Sequence, residues 1–311
     1  MSKELHYKTP LFFSNLLSNR LNKKIYFKMD CYQPTGSFKI RGVGKRCQEA
    51  AKKGCKHFII ASGGNAGLAV AYSGWKMKIK TTVVVPETTQ KPMCEKISDL
   101  GAMVIIHGKV WDESNLYAQK LCKQESATYI HPFDHPTIWD GNASVIDECA
   151  PIIEAPDYII VAVGGGGYFC GIIEGLIRNN WNKTKIIAAE TIGTASLQKA
   201  ISAGKLITLD KIESIASSLA SKKVAPKALE LALKYNVKPY TVNDKKALEA
   251  CYSFLNENGC LVEPACGAAL SVVYQNSKLI DDAKSIMVMV CGGRSISFEK
   301  FKNLLGEFNC L

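Results

Sequence analysis

The chain contains no apolar run long enough to cross a membrane; its longest, such as Tyr158 to Val163, stop at glycine. The opening Met1-Ser2-Lys3-Glu4-Leu5-His6 carries no apolar signal segment. A cytoplasmic protein without a membrane partner is therefore expected. No G-x-x-x-x-G-K-[ST] occurs, which removes the phosphate loop of nucleoside triphosphatases. No C-x-x-C pair occurs among the 12 cysteines, and most of these lie in apolar patterns, where cysteine acts as a small hydrophobe. That argues against a zinc site or a disulfide framework. Low-complexity stretches and solenoid-length repeats are missing too. Acidic residues are in deficit, 28 against 39 basic ones, for a net charge of +11. Yet the lysines form only pairs (Lys23 and Lys24, Lys52 and Lys53, Lys222 and Lys223, Lys245 and Lys246), with no aromatic interleaving. That pattern describes a solvated surface rather than a nucleic-acid interface.

What remains is ample for a buried core: 311 residues, 47% of them hydrophobic, enough for one large or two medium domains. Apolar runs at Ile25 to Met29, Phe58 to Ala61, Thr81 to Val85, Met103 to His107, Tyr158 to Val163, Ile186 to Ala189 and Ile286 to Val290 read as strands. Helical periodicity lies between them, at Ile40 to Lys53, Ala66 to Lys76, Gln90 to Leu100, Glu113 to Gln124, Phe169 to Asn179 and Lys245 to Asn256. The rhythm predicts an α/β fold of two open, twisted, mainly parallel sheets flanked by helices. Tyr129 to Pro136, with two prolines, reads as a crossover loop between two α/β domains, and a cleft between domains is a usual ligand site. Residues 205 to 245 are the least regular part.

Four short stretches carry chemistry. Pro34-Thr35-Gly36-Ser37-Phe38-Lys39-Ile40-Arg41-Gly42 leaves the first strand through a Pro/Gly turn. Thr35 or Ser37 is expected to cap the helix that follows. Lys39 then falls in the first helical turn, where the positive end of the macrodipole favours the neutral amine that a carbonyl-binding lysine needs. Taken alone, it equally reads as a solvated surface lysine. The second stretch, Ser62-Gly63-Gly64-Asn65-Ala66-Gly67, joins a strand to a small-residue helix. It offers backbone N–H groups and two polar side chains to an anion such as a carboxylate, or merely starts its helix. Gly164-Gly165-Gly166-Gly167 does the same before a helix starting near Tyr168. Four consecutive glycines are entropically costly and are tolerated where backbone approaches a ligand closely, here a phosphate. A G-x-G-x-x-G count fails at Phe169 or Cys170, although Glu190 ends a later strand as a ribose-binding acid would. The fourth, Val290-Cys291-Gly292-Gly293-Arg294, puts Cys291 at the carboxyl end of its strand; the plain alternative is a buried structural cysteine.

In this order the four stretches strongly resemble the fold-type II pyridoxal-phosphate enzymes, and among them the L-serine/L-threonine dehydratases of the mammalian liver type. The resemblance runs from about Thr9 to the final helix and includes Val84-Val85-Pro86, Pro132-Phe133-Asp134, Ala189-Glu190-Thr191 and Leu261 to Ala269. It implies a larger cofactor-binding domain of residues 1–34 and 139–311, and a smaller one of 35–138 carrying the lysine and the substrate loop. It further implies that Lys39 holds pyridoxal 5'-phosphate as a Schiff base and acts as base, that Phe38 packs on the ring, and that Asn65 bonds the ring hydroxyl. Ser62, Gly63, Gly64, Asn65 and Ala66 would hold the substrate carboxylate, Gly164, Gly165, Gly166 and Gly167 the phosphate, and Cys291 would face the ring nitrogen. A thiol cannot stabilise a pyridinium as a carboxylate would, so the ring is a weaker electron sink and β-elimination is favoured. A potassium ion on Gly164, Glu190, Thr194, Leu219 and Ser221, mostly through carbonyls, and a homodimer are also implied.

Alternatives on the same scaffold are serine racemisation and β-replacement. Cys291 argues against replacement, since relatives doing it usually place serine there, and Ala66 against the racemase, which usually has histidine there. A catalytically inactive small-molecule-binding protein is the alternative of a different class, against which intact Lys39, Asn65 and the tetraglycine stand. Two positions depart from the pattern: Arg294 replaces a small polar residue, and Gly63 stands where alanine is also common. The short C-terminal remainder after Cys291 leaves no room for an appended regulatory domain, so a degradative role is expected.

Overall fold

The computed structural model describes residues 4–235 and 237–310. They divide into two compact units: the residues up to Tyr7 with Gln33–Asn142, and Lys8–Tyr32 with the residues from Ala143 onward. The crossings fall after residues 7, 32 and 142, whereas the sequence places them after 34 and 138.

The first unit is built on a four-stranded parallel sheet and the second on a six-stranded one. In chain order the strands are β1 (Leu11–Phe13), β2 (Lys24–Lys28), β3 (His57–Ala61), β4 (Lys80–Val85), β5 (Met103–Ile106), β6 (Thr128–Tyr129), β7 (Tyr158–Ala162), β8 (Lys185–Thr191), β9 (Val237–Val242) and β10 (Ser285–Met289). The smaller sheet has the order β5-β4-β3-β6 and the larger β1-β2-β10-β7-β8-β9. Only the β1–β2 pairing is antiparallel among the described pairs.

The central strands are buried on both faces, and side-chain alternation decides which face each residue serves. In β3, Phe58 and Ile60 join the core under the helices Lys39–Lys52 and Asn65–Met77, while Ile59 and Ala61 turn to Ala118 and Cys122 of the helix Trp111–Gln124. β4 divides likewise, Val83 and Val85 on one side and Val84 on the other.

The structure corrects several sequence expectations. Tyr129 to Pro136 is not simply a crossover loop: β6 occupies its start, and the helix Pro136–Cys149 begins on its second proline. The irregular stretch 205–245 contains the helix Pro226–Lys234 and β9. Pro239 is accommodated because β9 lies at the sheet edge, where one row of N–H groups has no ladder partner.

Candidate active site

In the first unit, Gly36 takes φ 71° and donates its N–H to the Gln33 carbonyl at 2.7 Å, closing the turn that delivers Lys39. The helix Lys39–Lys52 starts at the lysine itself, with Phe38 as its N-cap. Neither Thr35 nor Ser37 caps it; both hydroxyls are buried and make no hydrogen bond among the described residues. The reason is that the turn stays helical at Phe38 (φ −52°, ψ −23°), so no extended residue is available to point a side chain back at the first amides. Lys39 Nζ donates to the Pro132 carbonyl at 2.8 Å and lies 5.3 Å from the Phe38 ring centroid and 5.9 Å from that of Phe133.

The sequence reading missed the turn that meets the lysine. His131 Nδ1 accepts from the Phe133 and Asp134 amides at 3.2 and 2.7 Å, so its proton sits on Nε2. Burial, and then the Lys39 charge, push His131 down to about 4, so it is neutral at physiological pH. The Trp139 indole donates to the Phe133 carbonyl at 2.9 Å. The half-buried imidazole and indole therefore brace the turn whose Pro132 carbonyl receives the amine. The two histidines of the His-Pro-Phe-Asp-His-Pro stretch were the available signal.

The turn Ser62 to Ala66 leaves β3 with the Ser62 amide on the Val84 carbonyl (3.0 Å) and enters the helix Asn65–Met77. Asn65 and Ala66 are buried, and the N-cap, Gly64, brings no capping side chain. A Cβ on Gly63 would lie 2.1 Å from Thr89 Oγ1, so here the Thr89 side chain fills the space that an alanine methyl would occupy.

In the second unit, the tetraglycine follows β7 and opens the helix Gly167–Arg178, one residue earlier than Tyr168. The Gly165 carbonyl accepts from Ala225 N at 3.0 Å. A Cβ on Gly164 would reach 3.0 Å from Leu219 Cα. Gly166 is left-handed (φ 89°), and its Cβ would come 2.5 Å from that of Ala228. We expect Gly166→Ala to cost about 2–4 kcal/mol, from the left-handed strain plus overpacking. Urea unfolding and phosphate-ester affinity should both register it; a variant with unchanged midpoint and affinity would contradict the close fit.

Cys291, just beyond β10, is buried against a second thiol. Its sulfur lies 3.2 Å from that of Cys266, which exchanges hydrogen bonds with the Gly292 backbone at 3.0 and 3.1 Å. Cys266 was not singled out by the sequence because its helix, Pro264–Tyr274, is apolar all round. Arg294 is exposed to solvent.

The side chains of Glu190, Thr194 and Ser221, expected near a cation, are engaged locally. The Glu190 carboxylate accepts from the Leu197 and Gln198 amides, each at 2.8 Å, at the start of the helix Ser196–Ala203. Burial pushes Glu190 up to about 7 even so. Thr194 Oγ1 pairs with Thr191 in a capping box, and Ser221 Oγ donates to the Lys223 carbonyl.

The residues present fit pyridoxal phosphate. A half-buried amine flanked by two aromatic rings suits a carbonyl carbon of a flat heteroaromatic ring. The tetraglycine exposes backbone at positions where side chains cannot be accommodated, as a phosphate cradle requires.

Fold and residues together define an α/β enzyme of the pyridoxal-phosphate type. The family model described as pyridoxal-phosphate dependent enzyme matches residues 3–292, and the chain belongs to that family. It is 43% identical to the L-serine dehydratase of Dictyostelium discoideum, over 98% of this chain and 93% of that protein. It is 41% identical to the human L-serine dehydratase/L-threonine deaminase, over 96% and 94% of the two chains. The crystal structure of a fungal L-serine ammonia-lyase from Rhizomucor miehei matches with a TM-score of 0.93 at 34% identity, covering 98% of this chain and all of that one.

Proposed function

We propose that the protein is an L-serine/L-threonine dehydratase, a lyase that removes water across Cα and Cβ and yields pyruvate or 2-oxobutanoate plus ammonia. The observation that carries this is full-length similarity to proteins of that name in a chain whose Lys39 is intact and delivered at a helix start.

Bound pyridoxal phosphate supplies an electron sink for the Cα bond. Lys39 would anchor it and would take the Cα proton at Nζ, the Pro132 carbonyl orienting the lysine amine. Phe38 would pack on the ring and Asn65 would bond its hydroxyl. Ser62 to Ala66 hold the substrate carboxylate through backbone N–H groups, and Gly164 to Gly167 hold the phosphate. Cys291 would face the ring nitrogen, where a thiol would not stabilise a pyridinium as a carboxylate does, and elimination of the β-hydroxyl would be favoured. A potassium ion would rest on the carbonyls of Gly164, Thr194, Leu219 and Ser221, since the Glu190 carboxylate is engaged by helix amides. The reading includes a cytoplasmic homodimer; among the described residues no helix is long and apolar enough to cross a membrane.

The test is keto-acid and ammonia release from L-serine and L-threonine, with D-serine formation measured alongside. Equal amounts of keto acid and ammonia are expected. D-serine as the main product would overturn the assignment in favour of a racemase. The two substrates differ by one methyl, worth about 1–3 kcal/mol in a pocket, so both should turn over at measurable rates.

A further inference from the structure

The proposed chemistry leaves one close pair of thiols outside the buried core. Cys31 lies in the short turn Asp30–Tyr32 after β2, and Cys260 in the extended stretch that follows the left-handed Gly259. Their sulfurs are 3.9 Å apart. Both residues are half-buried, whereas Cys266 and Cys291 are buried. The other half-buried cysteines have different surroundings: Cys55 donates to the His57 carbonyl, Cys310 contacts the Lys245 and Phe308 carbonyls, and burial raises the thiols of Cys94 and Cys310. Cys260 is shifted the opposite way, downward, chiefly by its pairing with the Cys31 sulfur, with burial opposing and the nearby Tyr32 hydroxyl assisting. Tyr32 is itself exposed, which leaves this corner open to a small reagent.

We propose that Cys31 and Cys260 form a modification site, a dithiol that a low-molecular-weight disulfide oxidises to an internal disulfide. The Cys260 thiolate attacks one sulfur of the reagent, its S–S bond breaks, and one thiolate leaves. Cys31 then attacks the Cys260 sulfur of the mixed disulfide. The bond to the reagent breaks, the second thiolate leaves, and the Cys31 proton passes through solvent to it. Two protein thiols are oxidised and one small disulfide is reduced to two thiols. The sulfurs must close by about 2 Å to reach bonding distance, which the loop position of Cys260, between a helix C-cap and the helix Pro264–Tyr274, allows.

The link joins the two segments that brace Cys291. Cys31 N donates to the Val290 carbonyl at 2.9 Å, and Glu263 N donates to the Gly292 carbonyl at 3.2 Å. A disulfide at this place ties both braces together.

The experiment treats the purified full chain with glutathione disulfide at neutral pH, quenches by alkylation and maps the peptides. A Cys31–Cys260 crosslink with loss of two hydrogens per chain is expected, ahead of adducts at Cys55, Cys94 and Cys310. Cys31→Ser should retain a single glutathione adduct on Cys260. In Cys260→Ser, the rate of modification at Cys31 should fall at least about tenfold. The proposal is overturned if Cys260 of the unsubstituted chain stops at the glutathione adduct, or if Cys55, Cys94 or Cys310 react as fast. The map of the unsubstituted chain decides the matter even if a serine variant fails to fold, and it does not depend on the dehydratase reading.

Discussion

Replacing Lys39 by alanine should abolish keto-acid release, lowering kcat by on the order of 10^4-fold or more, because the proposed mechanism uses this one side chain as both anchor and base. The local structure supports both duties. The helix Lys39–Lys52 begins at this residue, so its backbone is fixed by the turn at Gly36 and by the first helical bonds. The amine is held between Phe38 and Phe133 and oriented by the Pro132 carbonyl. His131 and Trp139 fix that carbonyl's turn from behind, with His131 neutral. The measurement should include borohydride reduction of the cofactor-loaded protein followed by peptide mapping. Labelled cofactor should appear on Lys39, and the visible absorbance of bound cofactor should change form in the variant. Turnover surviving in Lys39→Ala, or label on another lysine, would remove the central residue of the proposed mechanism.

Most strands legible in the sequence were those inside a sheet, the edge strand β5 being the exception. β3, β4, β7, β8 and β10 sit inside their sheets and read as continuous apolar runs. The missed strands β1, β6 and β9 are all at sheet edges, where one side lacks a neighbour and the apolar run is short or interrupted, as by Pro239. Three of the missed helices, Pro136–Cys149, Pro226–Lys234 and Pro264–Tyr274, open on proline, which in sequence reads as a loop but fits a first helical position, whose N–H would be unbonded anyway; Asn15–Leu21 and Ser196–Ala203 are short, of seven and eight residues. Pro264–Tyr274 is also buried all round and so lacks a helical stripe. In the candidate site, Lys39 and the glycine turns were visible because their chemistry is written in rare residue types at strand ends. Pro132, Thr89 and Cys266 were not, since each acts through a contact distant in sequence and, in Pro132, through a main-chain atom any residue could provide.

A second large effect is expected at a residue that takes no part in that chemistry. Lys28, on β2, is fully buried, and its Nζ donates to the Thr9 carbonyl at 2.8 Å and to Glu148 Oε2 at 2.5 Å. The Glu148 side chain is 10% exposed and also accepts from the Thr9 amide at 3.3 Å. Surface ion pairs in this chain, such as Lys91 with Glu95, stabilise by a few tenths of a kcal/mol. The Lys28 pair differs because removing one partner leaves a charge without compensation in a site water does not reach. Glu148→Ala should therefore cost about 3–5 kcal/mol, whereas Lys28→Met combined with Glu148→Leu should recover most of the loss, since the desolvation of both charges disappears together. Urea unfolding of the two variants, read at unchanged m, separates the outcomes. A loss below about 1 kcal/mol in Glu148→Ala would mean that Lys28 finds water or another partner. The effect should also reach the proposed site, because β2 pairs with β10 through Lys28 and Met289, and the Lys28 carbonyl accepts from Val290 N at 2.9 Å, one residue before Cys291. Glu148→Ala should thus loosen the segment carrying Cys291 before the sheet as a whole unfolds, and amide exchange at Val290 should rise ahead of exchange at Ile160, in the middle of β7.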